Sequence, residues 1–334
     1  MADPIIIWQV SDNKRGHENQ SSGLILALSR QVALEVVKIN IATDKASWWQ
    51  ALRGQFPSAA RLQQPDLIIG AGSQTHSTLL AASRATKAPS VLIMSPPKGL
   101  TSLFDLCIAP EHDLRSGSNV ITTKGAMNMI EPANDKNQHS GLFLIGGPSQ
   151  HHGWDESMLI KQIVQILDAN SSIQWTLTNS RRTPQSTTAQ LEKLSKEQVK
   201  VLPVEATDKD WLPRELSMSA HVWVTEDSVS MVYEALSSGA KVGLLPTPRK
   251  STRSRVVCGL ESLKQEGYLM SYRENQADLA AFNNPPPLFE AERVAKIVVE
   301  RFLASRISPR KSSQSFQSST PAASSAEHSR WANI

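Results

Sequence analysis

From Ile5 onwards, short apolar runs alternate with amphipathic stretches. The first runs are IIIWQV, PDLIIGAG, APSVLIM, DLCIAP and NVITT. Each is continuous and bounded by turn residues, as strands covered on both faces of a parallel sheet are. Between them, residues 18–30, 45–54 and 75–87 carry helical spacing. This β-α-β-α rhythm predicts a doubly wound domain. Residues 131–140, EPANDKNQHS, are polar and turn-rich and predict a linker. The rhythm then restarts, with GLFLIGG, IQWTLTN, VKVLPV, AHVWVTE and KVGLLP as strands and 155–168, 187–196, 229–238 and 253–265 as helices. The expected architecture is α/β, with two Rossmann-like domains, 1–130 and 141–304, facing each other across a cleft. The amphipathic stretch FEAERVAKIVVERFLA, 289–304, is expected to be the last helix of the second domain. Residues 305–334 are Ser-rich and nearly free of aliphatics, which predicts a disordered tail.

The length of 334 residues fits two domains of roughly 150 each. The first apolar run is too short for a secretory leader, and no stretch approaches the roughly 18 apolar residues of a membrane span. The cytoplasm is therefore the expected compartment, with peripheral contact to the inner membrane kept in view. Cys107 and Cys258 sit in apolar runs without CxxC spacing, so neither a zinc site nor a disulfide framework is expected. Both are expected to be buried as small hydrophobes. The net charge of +4 is largely a property of the tail, where Arg306, Arg310, Lys311 and Arg330 outnumber Glu327. Such a tail is solvated or touches anionic lipid; no nucleic-acid partner is expected.

Ligands of open α/β sheets bind beyond the carboxyl ends of the strands, so the strand-to-helix turns are the places to search. The first turn, SDNKRGHENQSSG, offers Gly16 for a tight backbone path and His17 as a general base near neutral pH. Equally, Asp12 and Asn19 could merely cap the helix, with His17 solvated. The turn GAGSQTHS reads mainly as small-residue packing, with a weaker ligand role for Ser73 or His76. APEHDLRSGSN places Glu111, His112 and Asp113 in a row, more simply a solvated loop than a catalytic pair. In the second half, LIGGPSQ offers the amides of Gly146 and Gly147, with Ser149 beside them, to an anion. Arg181 and Arg182 of NSRRTP suit a diphosphate, because guanidinium forks match phosphate oxygens. The richest stretch is VTEDSVSMVYEALSSGAKVGLLP. There Glu226, Asp227, Ser228, Val229 and Ser230 lead into a helix N-terminus, an anion site by its free amides. Glu234, one turn on, can accept both hydroxyls of a ribose.

Together, SDNKRGHENQ, PDLIIGAG, APEHD, NSRRTP and TEDSVSMVYEAL…G resemble the mitochondrial fission ELM (elongated mitochondria) family, in family order from about Ile5 to Leu245. Ser228 to Gly239 is also similar to the donor-side pattern of GT-B enzymes such as the N-acetylglucosaminyltransferase of peptidoglycan synthesis. The resemblance implies a GT-B-like fold and glycosyltransferase activity, with His17 on the acceptor side and Arg181, Arg182, Ser228, Ser230 and Glu234 on the donor side. The family's turn after PDLIIGAG often carries arginines, where this chain has Ser73 and Gln74.

The function expected first is an inverting glycosyltransferase that needs neither metal nor another cofactor. Its partners would be a nucleotide-diphosphate sugar and an unidentified acceptor, a glycolipid at the membrane surface among the candidates, within cell-envelope glycan or lipopolysaccharide assembly. The rival is a non-catalytic scaffold that keeps the fold and recruits a partner. A nicotinamide-dependent sugar epimerase is set aside: the first turn lacks GxGxxG, and no tyrosine begins a Tyr-x-x-x-Lys pair.

Overall fold

The computed structural model describes every residue except 1–2, 98, 114–115, 196, 252–253, 273–276, 278–281, 283–287 and 308–334. The first sheet is built from β1 (Ile5–Ser11), β2 (Leu34–Asn40), β3 (Leu67–Ala71), β4 (Ser90–Ile93), β5 (Leu106–Pro110) and β6 (Val120–Thr123). Its order is β2-β1-β3-β4-β5-β6, and every pairing is parallel. The second uses β7 (Asn137–Leu144), β8 (Gln174–Thr178), β9 (Val199–Val201), β10 (Ser219–Thr225), β11 (Lys241–Leu245) and β12 (Leu269–Ser271). These run in the order β12-β11-β10-β7-β8-β9, again all parallel. Each order reverses direction once, between β1 and β3 and between β7 and β10, and such switch points open the crevices where α/β sheets take ligands. The architecture is two doubly wound α/β halves, as the run-and-helix rhythm predicts.

Each sheet has an apolar core on both faces. On the first, α1 (Arg15–Ser29) covers one face with Leu24, Ile25 and Leu28, while α2 (Trp48–Arg53) and α3 (His76–Thr86) cover the other. On the second, α4 (Glu156–Ala169) and α5 (Gln185–Glu192) lie on one side. The opposite side is covered by α6 (Trp211–Met218), α7 (Val229–Ser237) and α8 (Arg255–Gln265). β2 gave no clear signal in the sequence: LEVVKIN is an edge strand with three exposed residues, so it lacks the continuous apolar run of a central strand.

Two boundaries differ from expectation. Residues 137–140, read as the end of the linker, already belong to β7. The amphipathic stretch 289–304 forms α9 (Glu290–Val298), a π-helical turn Val299–Leu303 and the start of α10 (Ala304–Ile307). It covers the first sheet, not the second: Val294, Ala295, Val298 and Leu303 are buried among Ile5, Leu24 and Leu28. Arg30 at the end of α1 pairs with Glu292 at 2.9 Å and with Glu131 of the connecting segment at 2.7 Å. An apolar stripe shows that a helix must be covered, not by which sheet. The disordered-tail expectation for 305–334 falls, from 308 on, outside the described residues. Cys107 is buried as expected, but Cys258 is exposed, because its position on α8 looks out between the halves. No helix among the described residues is long and apolar enough to cross a membrane.

Candidate active site

The first turn stands at the carboxyl edge of β1, beside the switch point. Asp12 does not cap α1, whose N-cap Lys14 has no side-chain cap bond. Instead the fully buried Asp12 carboxylate holds His17 Nδ1, at 3.0 and 2.9 Å. His17 keeps a fifth of its side chain accessible, and the carboxylate on Nδ1 leaves Nε2 as the free ring nitrogen. Gly16 turns out not to be the glycine that matters, since open space surrounds the place its Cβ would take. Gly72, in the turn after β3, is. A Cβ there would overlap the His17 imidazole, and its φ of +85° is one that side-chain-bearing residues rarely adopt. GAGSQ thus supports the histidine by being small. Its neighbour His76 is buried edge-on to Phe104, 5.7 Å between ring centres, where burial lowers its pKa. Ser73 is exposed at the start of a short turn before α3.

Across the cleft, the second-half residues form a clasp. The amides of Gly146 and Gly147, expected free for an anion, are taken: Gly146 donates to Thr225 Oγ1 at 2.7 Å and Gly147 to Asp227 Oδ2 at 3.0 Å. Arg182 closes over them, donating to Asp227 Oδ2 and Ser228 Oγ at 2.9 Å each and to Gly147 O at 2.9 Å. A side chain at Gly146 would collide with Asp227 and Ser228. Ser149 caps its own turn, accepting from His152 N at 3.1 Å. Arg181 is exposed and has no side-chain partner among the described residues. Val229 and exposed Ser230 begin α7, so their amides face out of the helix start.

Glu234 is the residue that joins the halves. Its Oε1 accepts from Asn19 Nδ2 of α1 at 3.1 Å. Burial pushes its pKa up to about 7, with the Asn19 bond and the Arg15 charge opposing. A carboxyl raised above its unfolded value adds stability below that value and loses it as pH climbs through the folded one. Glu234→Gln should therefore match the parent below about pH 4.5, gain on it as pH rises from there to about 7, and hold a constant lead above that. By about pH 8 the gap should reach roughly 1–3 kcal/mol, read by urea unfolding across pH.

Beside this contact lies an interdomain cavity of about 280 Å³, lined by Glu111, Lys124, Tyr233, Cys258, Ser262 and Glu266. Glu111 of that row thus reaches the cleft; the side chain of His112 lies outside the described residues. Two groups passed over in the sequence complete the second half. Glu226 is ion-paired by Arg249, with Lys264 at 3.5 Å, and His152 is fully buried 4.0 Å from it. The HHGW run after the glycines was the one available sign of His152; nothing local tied Arg249 to Glu226.

A family model described as mitochondrial fission ELM1 matches residues 15–302. The chain belongs to the mitochondrial fission ELM1 family. No curated protein matches it. Among solved structures, it is similar to the UDP-GlcNAc 2-epimerase of Neisseria meningitidis bound to UDP-GlcNAc, with 13% identity and a TM-score of 0.55 over 89% of this chain and 99% of that one. The UDP-GlcNAc 2-epimerase of Methanocaldococcus jannaschii gives 12% identity and 0.54 over 89% and 100%. MurG of Acinetobacter baumannii gives 12% identity and 0.49 over 89% and 100%. For the two epimerases, at these identities, the likeness is one of fold, the GT-B arrangement of two facing α/β domains. An epimerase class, set aside above for want of nicotinamide motifs, is thus represented on this fold.

Proposed function

We propose that the chain is a metal-independent, inverting glycosyltransferase that moves a sugar from a nucleotide-diphosphate donor to an acceptor hydroxyl, in cell-envelope glycan assembly. The observation that carries this reading is the Asp12–His17 pair, 2.9 Å apart, at the start of the helix whose Asn19 reaches Glu234 of α7 across the cleft. The acceptor hydroxyl would meet His17 Nε2. As its oxygen bonds to the anomeric carbon, the proton passes to Nε2 and the carbon–diphosphate bond breaks from the opposite face. Asp12 holds the ring in place and stabilises the imidazolium. The leaving nucleoside diphosphate takes its charge balance from Arg181 and the Val229–Ser230 amides, with Glu234 within reach of a ribose once Asn19 releases it. A phosphate at Gly146–Gly147 would first have to displace Arg182 from Asp227.

The second reading, a non-catalytic scaffold, draws on that clasp: the corner where a diphosphate would rest is filled by the chain's own arginine. A panel of nucleotide sugars at about a hundredfold over their dissociation constants separates the two, since a true donor should add about 2.7 kcal/mol to stability. Release of nucleoside diphosphate with acceptor, and an inverted anomeric product, would complete the transferase case. A sugar epimerised at C2 without transfer, or no stabilisation by any donor, would overturn it.

A further inference from the structure

A short helix on the first half leaves its apolar side uncovered. In α2, Ser47 and Gln50 form a reciprocal capping box and Gly54 closes the helix with φ 63°. Ala51 is fully buried, and Arg84 of α3 donates to its carbonyl at 3.0 Å. The helix is therefore fixed, and what it turns outward is fixed with it. Trp48 is 44%, Trp49 72% and Leu52 62% exposed, whereas Trp8, Trp175 and Trp223 are 2% exposed or less. Two adjacent tryptophans and a leucine on one turn are a cluster, unlike the singly exposed Met129, Val164 and Met218.

The charges around this face are predominantly positive. Residues 41–64 and 76–87, which carry α2 and the α3 it rests on, contain Lys45, Arg53, Arg61, Arg84 and Lys87 against Asp44 alone. Asp44 is further occupied by the hydroxyls of Ser58 and Thr43. Lys45, Arg53 and Lys87 have no ionic partner among the described residues. A second copy docking face to face would bring these cations together, so self-association is disfavoured. Tryptophan rings beside lysine and arginine are the chemistry of a bilayer surface: the ring sits at headgroup level and the cations meet anionic headgroups.

We propose that the exposed face of α2, Trp48, Trp49 and Leu52 with Lys45 and Arg53, docks the protein on an anionic phospholipid bilayer. The proposal stands whether or not the chain transfers sugar. It also has a bearing on the cleft. The segment leading to α2 starts at Asn40, which accepts from Asn13 in the His17 turn at 3.1 Å. It is tied to the start of α3 by Ala46 N on Thr78 Oγ1 at 3.0 Å. The segment that carries the docking face therefore leaves the same carboxyl edge of the first sheet as the His17 turn.

The test is flotation of the full chain with vesicles of phosphatidylcholine containing phosphatidylglycerol, and with phosphatidylcholine alone. The parent should float with the anionic vesicles and lose them in high salt. Trp49→Ser/Leu52→Gln, both at exposed positions, should keep the melting temperature and weaken binding about tenfold or more. Lys45→Glu/Arg53→Glu should do the same and abolish the preference for anionic lipid. Equal flotation of parent and both variants would assign binding to another part of the chain and overturn the proposal. So would a parent that floats with neither vesicle, or a parent dimer that the tryptophan variant converts to monomer.

Discussion

His17→Ala should cut sugar transfer by about a hundredfold or more while donor affinity stays nearly unchanged, because a positioned general base contributes roughly 10²–10⁴ in rate. The donor is expected on the second half, and His17 stands on the first, held 2.9 Å from the buried Asp12. Asp12→Asn provides the companion measurement. The amide keeps the size of the carboxylate but not its charge, so it should lower turnover through the tautomer and orientation of the ring. Steady-state release of nucleoside diphosphate reads both variants, and a thermal shift with donor reads binding separately. Full turnover in His17→Ala would remove the histidine from the chemistry and direct attention to Glu111 at the cavity.

Arg249→Leu should destabilise the fold by about 3 kcal/mol, the largest structural effect expected outside the apolar core. Glu226 is 2% exposed at the end of β10, and Arg249 reaches it with two guanidinium nitrogens while also holding Glu261. Removing the arginine leaves a buried carboxylate with Lys264 at 3.5 Å as its remaining cation. Adding Glu226→Gln to Arg249→Leu should restore part of the loss, because the desolvated charge is gone. Urea denaturation of the single and double variants closes the cycle. A single variant as stable as the parent would show that the pair contributes no net stability.

The candidate site was legible in the sequence to the extent that chemistry lies in strand-to-helix turns. His17, Arg181, Arg182, Ser228 and Glu234 were all marked there, and their elements are where the rhythm put them. The roles the turns play were less legible. Gly146, Gly147 and Arg182 read as three separate anion ligands, yet Gly147 and Arg182 meet on Asp227 and Gly146 is taken by Thr225. Residue type announces what a group can bind but not whether a partner 45 positions away has already taken it. Glu234 was read as a ribose ligand, and the structure adds that Asn19, 215 positions earlier, reaches it first.

By itself, the sequence determined the two doubly wound halves and the turns that hold the polar groups. Short continuous apolar runs that alternate with amphipathic helices are covered on both faces in a parallel sheet, and ligand chemistry collects at the carboxyl ends of its strands. Tertiary structure alone decided which groups meet. It brought α9 back to the first sheet, because an amphipathic stripe fits any open apolar face. It seated His17 on Gly72, because a missing side chain leaves room that only a packed neighbour reveals. It also left Trp48 and Trp49 outside, since a helix of six residues buries one side against α3 and has no second layer to cover the other.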